Sequence, residues 1–128
     1  MEHTILLEAQ VQEKRMCSLL NEIMDLTVQL AQAVDRDDPV SINMLLGMRA
    51  EPVLKLQNVR KALELQKDSL DLDDRERLVE LLNGEPAASY EEKALADQVC
   101  SNRRLLSRVI DCDKRISRKL AKENSIYE

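Results

Sequence analysis

The apolar residues in the first quarter of the chain recur every three or four positions, as they do on one face of a long α-helix. The stripe has these members: Ile5, Ala9, Met16, Leu19, Ile23, Leu26, Leu30 and Ala33. Gln12 interrupts it, and Leu20, Thr27 and Val34 widen it. A helix from His3 to about Arg36 is about 45 to 50 Å long, so only partners of similar length can cover its stripe.

An acidic turn follows and leads into a second helix. Asp38 is suited to cap that helix and Pro39 to begin it. So short a connection predicts antiparallel neighbours. The second pattern continues to about Lys67 through Ile42, Leu45, Leu46, Arg49, Val53, Leu56, Val59 and Leu63. Pro52 lies inside it, five residues after Gly47, and predicts a kink or a break in the helix.

Two further helices complete the chain. A short one is expected to begin near Asp73 and to end at Asn83-Gly84, which is a typical C-cap. Residues 84–88 are the predicted hinge loop. The last helix opens at Ser89 and has these apolar positions: Leu95, Val99, Leu105, Leu106, Val109, Ile110, Cys112, Ile116 and Leu120. Asn102 and Asp113 place polar groups on its seam, where buried polar residues set register.

Leucine is the main apolar residue, and Phe and Trp are absent. A core of many small aliphatic contacts suits long helices packed side by side. The sequence therefore predicts an all-α protein with a single domain over residues 1–128. The expected architecture is an antiparallel bundle of three long helices and one short helix, with a long first helix and a kinked second helix.

Charge and composition exclude several classes of function. The net charge of −5 argues against nucleic-acid binding, and the cations after Arg103 are interpreted as complementing the dipole of the last helix. No apolar run approaches the roughly 18 residues of a membrane span, and no signal peptide is recognised at Met1. Three cysteines without a CxxC spacing favour a reducing compartment. A cytoplasmic location is expected.

The sequence offers little for catalysis, and neither a metal nor a cofactor is expected. His3 is the only histidine, and two glycines cannot form a phosphate-binding loop. The segment from Leu106 to Asp113 distantly resembles the start of helical chorismate mutases. In that family the segment opens the fold, whereas only Lys114 to Glu128 follow it here. A non-enzymatic function is therefore predicted.

The order of elements resembles the flagellar export chaperones of the FlgN and FliT types. The likeness begins with the leucine repeats between Leu19 and Leu26. It continues through the acidic turn from Asp35 and the pattern Ile42-x-x-Leu45-Leu46-x-x-Arg49. The closing helix from Leu105 to Leu120 matches the last helix of such proteins. The resemblance spans most of the chain, with Pro52 and the short third helix as departures.

The resemblance implies a cytosolic chaperone that binds C-terminal helical segments of hook-filament junction or cap subunits, prevents their premature assembly and aids their delivery to the export apparatus. It assigns client binding to the closing helix, with these contact residues: Leu95, Val99, Leu106, Val109, Ile110 and Ile116. The alternative is a non-catalytic adaptor or regulatory coiled-coil protein that forms a homodimer through the seam of the first helix.

Overall fold

The computed structural model describes the backbone of residues 1–127 and the side chains of residues 1–122. Over this part the chain is helical without strands, with helices α1 (His3–Asp35), α2 (Pro39–Asp68), α3 (Leu72–Leu82) and α4 (Tyr90–Tyr127). The all-α class is confirmed, as is the succession of two long helices, one short helix and a long closing helix.

Local side-chain chemistry fixes the helix ends. Asp38 caps α2, and its Oδ1 accepts a hydrogen bond from the backbone N–H of Ser41 at 3.1 Å. Asp71 caps α3 in the same way for Asp74 at 3.0 Å, so α3 begins at Leu72, slightly earlier than the sequence predicts. Gly84 terminates α3 with φ 97°, a left-handed conformation that favours glycine.

Pro52 does not break the second helix. α2 is continuous from Pro39 to Asp68, and the proline is buried within it. Of the two outcomes expected for residues 47–52, the break into two segments is therefore wrong. The kink stays a prediction.

Helix α1 is central and packs against both α2 and α4. Gln66 of α2 donates to the carbonyl of Ile5, so the C-terminal end of α2 lies beside the start of α1. Asn102 of α4 bonds Glu13, and Lys119 pairs with Asp35. These contacts make α2 antiparallel to α1, as expected, but α4 parallel to it, so the predicted antiparallel arrangement of all three long helices is not confirmed.

Two apolar clusters form the core at opposite ends of α1. At the end where α3 lies, here called the closed end, the buried cluster comprises Leu6, Ala9, Leu63, Leu78, Leu81, Leu95, Ala96 and Val99. At the end near the α1–α2 turn, here called the open end, it comprises Leu26, Leu30, Ala33, Val34, Leu45, Cys112 and Ile116. Much of the stripe of α1 is thus covered within one chain. The sequence predicts that Gln12 interrupts the apolar stripe of α1, but the polar residue that is buried there is its neighbour Glu13.

Helix α3 packs on α2 and α4, and its backbone makes no close approach to that of α1. Along the described helices, no Cα of α2 lies within 8 Å of a Cα of α4. Helix α3 therefore covers the gap between them at the closed end. Leu78 and Leu81 are 0% exposed there.

Candidate protein-binding groove

The gap between α2 and α4 forms a groove floored by α1, called here the α2/α4 groove. A cavity of about 310 Å³ lies in this groove next to the end of α3. A more open cavity of about 590 Å³ lies further along α4 and is lined by residues of α4 alone. The α4 residues that line them recur at intervals of one to four positions: Val99, Asn102, Arg103, Leu106, Ile110, Asp113, Lys114, Ser117 and Arg118. They form one continuous stripe of the helix. At 1.5 Å per residue the stripe is about 27 Å long.

The part of the groove beside α3 combines an apolar lining with charged walls. Met16 of α1, Leu63 of α2 and Leu106 of α4 supply apolar surface. Leu82 and Asn83, at the end of α3, close the groove at this point. From the end of α3 towards the open end, no helix of the described chain lies over the groove.

The α2 wall of the uncovered part carries two exposed apolar side chains. Leu46 and Val53 continue the three- and four-residue spacing that leads from Arg60 back through Leu56 and Arg49, so they lie on the same side of α2. Leu46 is 44% exposed. Ile110, on the α4 wall, is 43% exposed. The open end of the groove therefore presents aliphatic side chains on both walls.

A buried carboxylate lies where the groove emerges from beneath α3. Glu13 is 4% exposed, and the Nδ2 of Asn102 donates to both its backbone carbonyl and its Oε2 at 2.7 Å. Burial raises the pKa of Glu13, while the bond from Asn102 and the charge of Arg60 oppose that rise. Because Asn102 can satisfy these bonds in only one position along α1, the pair fixes the register of α4.

Arg49 connects the three long helices. Its Nη1 donates to the hydroxyl of Thr27 at 3.1 Å and to the carboxylate of Asp113. The sequence places both Arg49 and Asp113 on apolar seams, and the structure accounts for them as an ion pair that crosses the α2/α4 groove at the open end. The ion pair therefore joins the two walls of the groove at this point.

Unpaired cations flank the groove in this acidic protein. Among the described residues, the side chains of Arg60 on α2 and Arg103 on α4 form neither a hydrogen bond nor an ion pair. Lys114, further along α4, is also unpaired within the described chain. Lys67 is neutralised by Glu64 at 2.6 Å. The groove is thus suited to a ligand with an apolar side and acidic flanks.

The six residues predicted to contact a client lie on two sides of α4. Leu95, Val109 and Ile116 are buried in the bundle. Val99 is also buried but lines the groove together with the half-buried Leu106. Ile110 is exposed in the open part.

The structure therefore divides these six residues into a buried set and a set that lines or borders the groove. A 3.6-residue period places Val109 and Ile110 on different sides of the helix, although both belong to its wide apolar stripe. For Val99, Leu106 and Ile110 the binding role is compatible with their position and stays a prediction. For the buried three, binding would require α4 to separate from α1.

Other candidate chemistry finds little support among the described residues. They contain no cluster of His, Cys, Asp or Glu able to hold a metal ion. No helix in the described part has a stretch long and apolar enough to span a bilayer. Cys112 is buried and Cys17 half-buried, but Cys100 is exposed, so packing explains the first two cysteines and not the third.

The hinge predicted at residues 84–88 is held by specific contacts. A Cβ at Gly84 would lie 3.2 Å from Nε of Arg103. Arg77 donates to the carbonyl of Pro86 at 3.1 Å, and the N–H of Ala88 donates to Glu92 at 2.9 Å. The loop thus has defined partners, and a hinge motion stays a prediction.

The chain matches no protein-family model, no curated protein and no solved structure. The groove and its chemistry are therefore the main support for a function.

The sequence interpretation missed the α2 wall of the groove. It placed Leu46 and Val53 in the buried stripe, although their spacing from Leu45 and Pro52 puts them to one side of it. The signal was present, because α2 is apolar on several sides between Val40 and Leu56. A helix that is apolar all round needs more cover than one neighbour supplies.

Proposed function

We propose that this chain is a non-catalytic protein that binds an amphipathic helix of a partner in the α2/α4 groove. The observation that carries the proposal is α3 itself. This helix already lies over the groove at the closed end and buries Leu78 and Leu81 there. Beyond Asn83 the groove continues with Leu46, Val53 and Ile110 exposed on its walls. A partner helix that continues the line of α3 would replace the Arg49–Asp113 ion pair, which crosses the groove at the open end.

The charge of the walls indicates the partner's chemistry. An inserted helix would place apolar residues on Met16, Leu106 and Ile110, and its flanks would meet Arg60, Arg103 and Lys114. Acidic flanks would therefore bind best, because Arg103 and Lys114 have no hydrogen bond or ion pair to their side chains within the described chain, whereas the charge of Arg60 already acts on Glu13. This is the helix-in-groove mode, in which anchors recur at i, i+3, i+4 and i+7.

The energetics are compatible with reversible binding. Four anchors at roughly 1.5 to 3 kcal/mol each contribute about 6 to 12 kcal/mol before costs are counted. Loss of translational and rotational freedom and ordering of side chains remove at least about 4 kcal/mol. The remainder corresponds to weak or moderate affinity, which suits a protein that must later release its partner.

Within this class, the resemblance to FlgN and FliT supports a cytosolic flagellar export chaperone. The partner helix would then belong to the C-terminal segment of a hook-filament junction or cap subunit. Binding would keep that segment from assembling before export. The alternative is an adaptor that holds a helix of another protein in the same groove.

The experiment is a titration of the purified chain with synthetic C-terminal segments of the junction and cap subunits from the same organism, followed by fluorescence anisotropy. The test variant combines Leu46→Glu with Ile110→Glu, which alter both walls. The matched control is Val28→Glu, because Val28 is an apolar α1 residue of similar exposure, 40%, that does not line the groove. The double variant should weaken binding at least tenfold, and the control should bind as the wild type does.

Two results would contradict the proposal in different ways. If no junction or cap segment binds at about 100 µM, a concentration that reveals even weak complexes, the flagellar assignment fails. If a segment binds but the double variant and the control bind it equally, the groove is the wrong surface. Circular dichroism must show native helix content for each variant.

A further inference from the structure

The cavity beside the end of α3, called here the end cavity, is a dead end for a helix that lies in the α2/α4 groove. All four helices contribute apolar lining, through Met16 of α1, Leu63 of α2, Leu82 of α3 and Leu106 of α4. Because Leu82 and Asn83 close the groove here, a partner helix that enters from the open end cannot continue past them. The end cavity, of about 310 Å³, is therefore suited to receive the end of a chain.

The charged groups that line the end cavity do not balance. Its cations are Arg60, Lys67 and Arg103, and its carboxylates are Glu13 and Glu64. Lys67 and Glu64 neutralise each other at 2.6 Å. Glu13 is buried and forms no ion pair within the described chain, although the charge of Arg60 acts on it. Three cations thus face two carboxylates, and one further carboxylate would make the lining neutral.

Two arginines supply the excess charge from opposite walls of the end cavity. Arg60 belongs to α2 and Arg103 to α4, both are exposed, and neither side chain forms a hydrogen bond or an ion pair among the described residues. A Cβ at Gly84 would lie 3.2 Å from Nε of Arg103, so the guanidinium group is next to the end of α3. Guanidinium groups with free N–H donors match the two oxygens of a carboxylate.

The end of a helix that fits these charges is its C-terminus. There the last carbonyls lack partners and the chain ends in a free carboxylate, so this end is negative. An N-terminus would instead bring an ammonium group towards Arg60 and Arg103, which is unfavourable. The end of α3 offers an N-terminus little compensation, because carbonyls of its last turn already accept from the backbone N–H groups of residues 83–85.

We propose that the end cavity binds the C-terminal carboxylate of the partner helix, with Arg60 and Arg103 donating to it from the two walls. Met16, Leu63 and Leu106 contact the last apolar side chain of the partner. The partner helix then runs antiparallel to α1, and its last residue lies at the end of α3. This inference rests on the proposed function, and it adds the direction of the bound helix and the group at which that helix stops.

The first test needs no partner protein. N-acetyl-leucine carries one apolar side chain and one carboxylate, and N-acetyl-leucinamide is the same molecule without the charge. In nuclear magnetic resonance spectra at constant ionic strength, the acid should shift the Nε–Hε signals of Arg60 and Arg103 and the side-chain amide signal of Asn102, with a dissociation constant in the millimolar range. The amide should not.

The side-chain amide signal of Asn102 also reports on variants that lack the arginines. Arg60→Gln combined with Arg103→Gln should raise the dissociation constant of the acid at least fivefold. Arg108→Gln is the matched control, because Arg108 is exposed on α4 and does not line the end cavity, and it should leave the constant unchanged. Equal shifts with acid and amide, or no shift at about 50 mM acid, would overturn the proposal.

The second test compares three forms of the partner segments used above: the free acid, the C-terminal amide and a form extended by Gly-Ser-Gly-Ser. Fluorescence anisotropy should show that the free acid binds at least fivefold more tightly than the other two. The double arginine variant should lose the preference for acid over amide, which separates contact with the arginines from any effect of amidation on the peptide's own helicity. A segment that binds equally in all three forms would overturn this inference and leave the proposed function intact. If no segment binds, the flagellar assignment fails, and the titration with N-acetyl-leucine alone decides whether the end cavity takes a terminal carboxylate.

Discussion

The two ends of the bundle share the same three long helices and differ in how they are covered. At the closed end α3 lies over the gap between α2 and α4, and Leu63, Leu78 and Leu95 are buried together. At the open end nothing in the described chain takes the place of α3. Leu46 of α2 and Ile110 of α4 remain exposed there, on the two walls of the groove.

The difference shows that the exposed apolar surface arises from topology. Helix α3 has only 11 residues, so it covers about 16 Å of helices that are roughly three times as long. The rest of the groove keeps the apolar side chains that a fourth helix would cover. A partner helix in the groove would complete what α3 begins.

Replacing a leucine by alanine at each end should give the largest difference in the free energy of unfolding. Leu78→Ala or Leu81→Ala should lower the free energy of unfolding by about 2 to 5 kcal/mol, because each leaves a cavity at a fully buried site. Leu46→Ala should change it by less than about 0.5 kcal/mol, as expected for an exposed site. Urea unfolding followed by circular dichroism measures both.

The comparison depends on α3 being a stable part of the fold. If Leu78→Ala and Leu46→Ala had equally small effects, α3 would contribute little cover, and the closed end would resemble the open one. Hydrogen exchange should then show fast exchange throughout α3.

A buried ion pair at the closed end should make stability depend on acid pH. Arg77 donates to Glu92 through Nε at 3.0 Å and also through Nη2, and these bonds lower the pKa of Glu92 to about 2. The unfolded carboxyl has a pKa near 4.5, so this stabilisation is complete above pH 4.5 and is lost as the pH falls towards 2. Glu92→Gln should cost roughly 1.5 to 3 kcal/mol at pH 7, and urea unfolding should show that difference shrinking across the window.

Glu13, which lies where the groove opens, should have the opposite effect on the pH dependence of stability. Its pKa is raised mainly by burial, so the fold favours the protonated acid and ionisation destabilises it as the pH increases. Glu13→Gln keeps an oxygen that can accept from Asn102 and removes the charge. The variant should unfold at a higher temperature than the wild type at pH 8, and the gap should close as the pH falls towards 4.5. A lower midpoint at pH 8 would mean that the negative charge itself is stabilising.

The ends and types of the helices follow from the sequence because the determinants are local. Asp38, Pro39 and Gly84 act on backbone groups within a few residues, so their positions alone place helix boundaries within one or two residues. The wide apolar stripes likewise show that α1 needs two neighbours. None of these features depends on knowing the tertiary arrangement.

The groove was harder to predict from the sequence, because it depends on which side of α2 and of α4 packs against α1. Val109 and Ile110 are adjacent and equally apolar, yet only the first is buried, since α4 turns that side towards α1. Glu13 and Asn102 are 89 positions apart and are recognisable as a pair only after packing. Leu45 and Leu46 are identical in type and adjacent in sequence, and they differ only in that Leu45 faces α1 and Leu46 does not.

The smallest expected effects on stability come from replacing each of the two glycines by alanine, one at each end of the bundle. Gly84→Ala at the closed end should destabilise the fold by about 1 to 2 kcal/mol, because its φ of 97° is unfavourable for an L-residue and the new Cβ would crowd Arg103. Gly47→Ala at the open end should stabilise the monomer by about 0.5 to 1 kcal/mol, because its helical conformation suits alanine and nothing lies nearby. Thermal unfolding at low micromolar concentration measures both. A destabilising Gly47→Ala would indicate that something already packs against that position in the isolated chain, and the open end would then be less open than its side chains imply.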